Sequence, residues 1–148
     1  MLSDDMKQLI RNHSAGMVAT TNDDGSPSVS PKATFVILDN RAIAFGNIRS
    51  PGTIANLRKR PSVEVCFIDA VLRKAVRVTG MASIVRKTDA GDQLMAAFEA
   101  QWGAYLPHMS AFVRIDVKAS ELILSPAYDL GFTEGELRDT NLKKLNAL

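Results

Sequence analysis

This chain carries a single cysteine, Cys66, in 148 residues. One thiol excludes an internal disulfide and any site built from several cysteine ligands. Histidine is almost as scarce: His13 and His108 stand apart, with no neighbours at metal-ligand spacing. Aromatic residues make up 6% of the chain and are not interleaved with basic ones, and the net charge is only +2. A nucleic-acid groove, which needs a basic face with stacking rings, is therefore not expected. No apolar run reaches membrane-spanning length. Met1-Leu2-Ser3-Asp4-Asp5 also lacks the basic-then-apolar profile of a secretion signal, so the expectation is a cytoplasmic protein with no membrane partner. Repeats, low-complexity tracts and composition shifts are absent too. Residues 1–148 thus read as one domain, with a core over about 16–124 and a tail and helix over 125–148.

What the chain does have is apolar periodicity. Ser3 can cap a short helix with Met6, Leu9 and Ile10 on one face, ending before Gly16. Met17–Thr21 reads as a strand, Asn22-Asp23-Asp24-Gly25 as a turn, and Val29–Leu38 as a second strand rich in β-branched and aromatic residues. Asp39-Asn40-Arg41 turns into a third strand, Ala42–Gly46, and the three are expected to form an antiparallel meander. A helix over Pro51–Arg60 follows, with Ile54 and Leu57 facing inward. The strand Val63–Ile68 comes next, then a long strand, Val76–Val85, with a bulge or bend at Gly80. Thr88 can cap a helix running to about Tyr105, where Leu94, Met95, Phe98 and Trp102 recur at helical spacing. Ala111–Val117 alternates cleanly, and Glu121–Leu124 is a short final strand. A capping box, Thr133…Glu136, opens a last helix carrying Leu137, Leu142 and Leu145. About six strands joined by hairpins suggest a small antiparallel barrel, because closure removes exposed edges.

The stretch around Ser50-Pro51-Gly52-Thr53 carries the chemistry. Ser50 is a good N-cap, and Pro51 fits the first helical position, where its missing N–H costs nothing. A phosphate docked there would meet free amides, the positive end of the helix dipole, the Thr53 hydroxyl and the Arg49 guanidinium. Pro61 stops the helix by Arg60, and the basic last turn, Arg58-Lys59-Arg60, suits the dipole's negative end. The same residues read equally as an ordinary capped helix with solvated arginines.

Further residues carry a resemblance. Thr20-Thr21, the turn at Asp24-Gly25 and then Pro27-Ser28-Val29-Ser30-Pro31-Lys32 are similar to the opening of the FMN-binding split-barrel proteins, relatives of pyridoxamine 5′-phosphate oxidase. Phe45-Gly46-Asn47-Ile48-Arg49-Ser50, with Thr53, Asn56-Leu57 and Pro61-Ser62-Val63, resembles that family's phosphate-binding strand, loop and helix. Val78-Thr79-Gly80-Met81-Ala82 resembles its next core strand, and the likeness runs from about Gly16 to Leu124. It implies a mainly β, six-stranded antiparallel split barrel with peripheral helices, forming a homodimer with FMN at the subunit interface. Carried over residue by residue, Ser30, Pro31, Lys32 and Ala33 would lie along the isoalloxazine ring and ribityl chain. Phe45, Gly46 and Asn47 would form the adjoining strand wall. Arg49, Ser50 and Thr53 would hold the 5′-phosphate, with Asn56 supporting that loop.

The activity implied is FMN-dependent oxidoreduction of a small molecule with an NAD(P)H-like or other reductant. A cation such as Lys32 near the flavin would stabilise its anionic reduced form, unless Lys32 points to solvent. A non-catalytic FMN carrier or electron-transfer protein is the alternative, and a deazaflavin or haem in the same groove is a third reading. Haem is disfavoured because neither histidine falls in the groove strands. Two departures stand out. Pro51-Gly52-Thr53 replaces the cation-bearing loop common in the oxidases. The tail Ser125–Gly131 also lacks the arginine and histidine that grip pyridoxal phosphate, which argues against vitamin B6 oxidation. Elsewhere His13 reads as a helix-end cap, His108 as a loop residue and Cys66 as a buried small residue. Trp102 reads as packing on the barrel or reaching a partner's flavin, and Tyr128 as a contact across the interface. Arg73, Lys74 and Arg77 read as a solvated turn or as groups that meet an anionic substrate.

Overall fold

Two residues, Ala33 and Thr34, decide the architecture. The computed structural model describes residues 1–148. It runs α1 (Asp4–Asn12), β1 (Gly16–Thr21), β2 (Pro27–Lys32), β3 (Phe35–Asp39), β4 (Ala42–Asn47), α2 (Pro51–Lys59), β5 (Ser62–Asp69), β6 (Lys74–Arg86), α3 (Asp92–Trp102), β7 (Ala111–Leu124) and α4 (Glu134–Asn146). The strands form one antiparallel sheet in the order β2-β1-β5-β6-β7-β4-β3. β2 and β3 are thus its two opposite edges, yet only Ala33 and Thr34 separate them along the chain. Three residue steps reach at most about 11 Å, so the sheet curls until its edges meet at this corner. No ladder joins β2 to β3.

This corrects three expectations. Val29–Leu38 is not one strand but β2 and β3, so the first strands make two separate hairpins rather than a meander. The sheet has seven strands, not six. Ala111–Val117 and Glu121–Leu124 are a single strand, β7, because β6 lies beside it along its whole length and carries it through Lys118–Ser120. The expected bulge is present: register shifts between Thr79 and Gly80, and a Cβ at Gly80 would sit 2.4 Å from the Asp116 carbonyl.

Alternation in β5 sends Val63, Val65 and Phe67 inward, where they meet Val18, Phe35, Phe45, Val76, Val78, Val113 and Ile115. Phe35 packs edge-on against Phe67 with ring centroids 4.8 Å apart. Leu9 and Ile10 of α1 and Ile54 and Leu57 of α2 complete this core, as their spacing predicts. Each such apolar side chain contributes about 1.5–3 kcal/mol when fully buried. A second cluster lies on the other side of β3, β4 and β7, where Val36, Ala44 and Phe112 pack under Leu94 and Phe98 of α3. β4 is therefore buried on both faces, which explains its unbroken apolar run.

The helix ends follow the caps in two cases. Ser3 Oγ accepts from Met6 N, and Thr133 Oγ1 accepts from Glu136 N. Thr88 does not cap α3. It lies in a separate 3₁₀ turn, and Gly91 precedes the helix. The helix α4 is tied on by polar groups: Asn141 Nδ2 donates to Val71 O, and Lys74 pairs with Glu134. Leu142 and Leu145 stay exposed.

Candidate functional site

The β2–β3 corner also borders a cleft of about 330 Å³. Pro31, Lys32, Ala33 and Thr34 line it from the β2–β3 corner. Gly46, Ile48, Arg49 and Ser50 line it from the end of β4 and the loop into α2, and Trp102 and Tyr105 from the end of α3. Thr34 fastens the two sides together. Its hydroxyl donates to Gly46 O and accepts from Gly46 N, both at 3.1 Å. Behind Gly46 stands Met109: a Cβ there would meet its sulfur at 2.3 Å, so any larger residue would require the Met109 side chain to move.

The electrostatics are one-sided. Lys32 and Arg49 line the cleft, neither belongs to an ion pair, and no carboxylate lines it. Lys32 Nζ donates to Ser30 Oγ at 2.7 Å, and burial holds its ammonium below the usual 10.5. Next to Arg49 begins α2, the only α-helix here without an acidic residue in its first turn. Ile54 N bonds Ser50 O, and Pro51 has no N–H, so the orphan donors of this turn are the amides of Gly52 and Thr53. No acidic side chain in its first turn offsets the positive end of this helix.

Of the residues expected from sequence, the structure brings Pro31, Lys32, Ala33, Gly46, Arg49 and Ser50 into this cleft. Ser50 starts α2, but its side chain makes no capping bond. Ser30 reaches the site through Lys32. Phe45 is fully buried, with its ring 5.2 Å from Phe35 in the core. Asn47 Nδ2 donates to Ser110 Oγ, while its Oδ1 is buried without a partner. Thr53 is buried in the first turn of α2. Asn56 supports a different element: its Nδ2 donates to Thr20 Oγ1 and Asn22 Oδ1, locking α2 to the β1–β2 hairpin. Arg60 and Lys59 reinforce that lock at Asp23, and their hydrogen bonds hold its carboxyl below the usual 3.8.

Sequence reasoning missed Thr34, Ile48 and Tyr105 as lining residues, whereas Trp102 packs against the second core cluster as expected and lines the cleft as well. Trp102 lines the cleft of its own chain, with Nε1 donating to Phe35 O at 2.9 Å. Tyr128 is held within the chain, its hydroxyl donating to Leu72 O at 2.6 Å. Cys66 is half-buried rather than buried. His13 caps α1 as expected and also pairs with Asp69 at 3.2 Å. The turn cations are not simply solvated, since Lys74 pairs with Glu134 and Arg77 with Glu121. No group of three or more His, Cys, Asp or Glu side chains is placed to hold a metal ion. No helix is long and apolar enough to cross a membrane.

This geometry has known counterparts. The family model described as pyridoxamine 5′-phosphate oxidase matches residues 2–125. The crystal structure of HupZ from Group A Streptococcus superposes with a TM-score of 0.69 at 25% identity, covering 84% of this chain and 96% of that one. General stress protein 26 from Bacillus anthracis strain Sterne has the same fold at 16% identity and a TM-score of 0.62, with 78% and 88% covered. An F420 reductase also shares it at 18% identity and a TM-score of 0.56, with 72% and 88% covered. No curated protein sequence matches the chain.

Proposed function

The chain belongs to the pyridoxamine 5′-phosphate oxidase family, and from that premise we propose that it is an FMN-binding oxidoreductase acting on a small molecule. One observation carries this reading. Two unpaired cations and an unneutralised helix start converge on a single cleft that no carboxylate lines. Such a donor set fits a phosphate monoester. Arg49, the Ser50 hydroxyl and the amides of Gly52 and Thr53 would hold the phosphate. Pro31, Lys32 and Ala33 would run beside the ring and ribityl chain. Bound flavin would supply the electron-pair transfer. Because neither histidine nor carboxylate lines the cleft, the work left to the chain is binding, orientation and charge.

The curled sheet with unpaired edges suits the family's split barrel, and its outward side suits a second copy of the chain. Met17, Val29, Ile68 and Met81 are each 40–59% exposed on β1, β2, β5 and β6, with no helix over them. The decisive test is flavin binding. The purified protein is expected to show flavin absorbance or to take up added FMN. Arg49→Ala is expected to weaken that binding by about 1–3 kcal/mol, the usual cost of a hydrogen bond to a charged group. Unchanged affinity would place the phosphate elsewhere. Reduction of the bound flavin by nicotinamide donors with turnover of an acceptor would then separate an enzyme from a carrier.

A further inference from the structure

We infer that the corner formed by Trp102 and Tyr105 is the ring-recognition element of this cleft, selecting a planar heteroaromatic group over an aliphatic one of equal charge. The inference rests on the FMN reading and deepens it by naming what would contact the ring. Charge alone does not explain how these aromatics are placed. Phe98 anchors α3 by stacking on Phe112, with centroids 4.4 Å apart, and this brings the last residue of the helix, Trp102, to the cleft. The bond from Trp102 Nε1 to Phe35 O then pins the indole against the edge strand β3.

Tyr105 meets Trp102 edge to face at 6.1 Å and 62°. Its backbone is held on both sides: its N–H donates to Trp102 O, its carbonyl accepts from His108 N, and Lys87 Nζ reaches Leu106 O at 2.6 Å. The residue as a whole is nonetheless 52% exposed. A large ring on a fixed turn, lining a cleft and left uncovered by its own chain, is a preorganised stacking surface. Little ordering remains to be done when a flat ligand arrives. The cleft thus has two functions on separate elements. Arg49 and the α2 start read the anion, whereas Tyr105 and Trp102 read the plane.

The test separates these functions with three probes: FMN, riboflavin (the same ring without the phosphate) and inorganic phosphate as a competitor. Binding is followed by flavin fluorescence and by emission from Trp102, the only tryptophan in the chain. Tyr105→Ala is expected to weaken FMN and riboflavin by the same factor, about 3- to 10-fold, and to leave competition by phosphate unchanged. Tyr105→Phe, which keeps the ring, is expected to restore both. Arg49→Ala is expected to weaken FMN and spare riboflavin. Thermal melts of the Tyr105 variants are expected to match wild type, because the ring is not part of the core. If FMN binds but Tyr105→Ala leaves both flavins unaffected, or weakens FMN alone, the ring-recognition role is overturned while the FMN reading stands. If wild type binds neither flavin, the FMN reading fails and this inference falls with it.

Discussion

Replacing Thr34 by valine removes one hydroxyl and should loosen both the fold and the site. The shape is kept, and only the polar atom that ties the β2–β3 corner to β4 is lost. That atom makes two hydrogen bonds, one to Gly46 O and one from Gly46 N, each at 3.1 Å. A typical net contribution is about 0.5–1.5 kcal/mol per bond, so the pair is worth about 1–3 kcal/mol. Gly46 N keeps a second acceptor, Thr34 O, at 3.3 Å, and is not stranded. The expected loss is therefore about 1–2 kcal/mol. For a chain of this size, 1 kcal/mol shifts the midpoint by about 2–4 °C, so Thr34→Val should melt about 2–8 °C below wild type. The consequence for function is larger than the number suggests. Lys32 and Arg49 sit on the two sides that this hydroxyl joins, so FMN affinity should fall together with stability. Thr34→Ser keeps the hydroxyl and should retain both properties. Circular dichroism melts and FMN titrations of the three proteins provide the comparison. A valine variant that melts with wild type and binds FMN normally would refute the reasoning.

Two further outcomes are expected. Burial holds the Lys32 ammonium below its usual value in the free protein, and a bound phosphate would raise it again. Its contribution to FMN affinity is then fully present below the free-protein pKa. It is lost as pH rises through the liganded pKa, with a proton taken up on binding in between. Wild-type affinity should therefore fall as pH rises through the alkaline range, whereas Lys32→Met should bind more weakly at neutral pH and lose less on the alkaline side. Parallel pH profiles would exclude this role for Lys32. In the ligand-free protein the sign reverses: a depressed folded-state pKa costs stability below that pKa, so Lys32→Met should melt no lower than wild type at neutral pH. The uncovered sheet face predicts a sedimenting species of twice the 16.1 kDa chain mass. Met17→Glu, at a position 43% exposed, should yield a folded monomer. A wild-type monomer at micromolar concentration would remove the dimer proposal.

What local chemistry decides was legible in the amino-acid order. Ser3 and Thr133 cap their helices because a hydroxyl before an acidic turn satisfies a free amide wherever the helix sits. Pro51 starts α2 and Pro61 follows its end, and the alternation of β5 sets which residues face the core. The start of α2 proposed to hold the phosphate was legible for the same reason, since Arg49, Ser50 and Thr53 are neighbours in the chain. The remaining features came from partners distant in sequence. The break at Ala33-Thr34 depends on Gly46, twelve residues away. The unbroken β7 depends on β6 lying beside it. Asn56 looked like a phosphate-loop support, and only the packed structure turned it toward Thr20 and Asn22. Tyr105 entered the site because α3 folds back over β3 and β4, bringing a ring 73 residues downstream in the chain beside Lys32. Caps, turns and alternation are set by contacts within a few residues. The meeting of two sheet edges and a helix end depends on burial summed over the whole chain, which no single segment encodes.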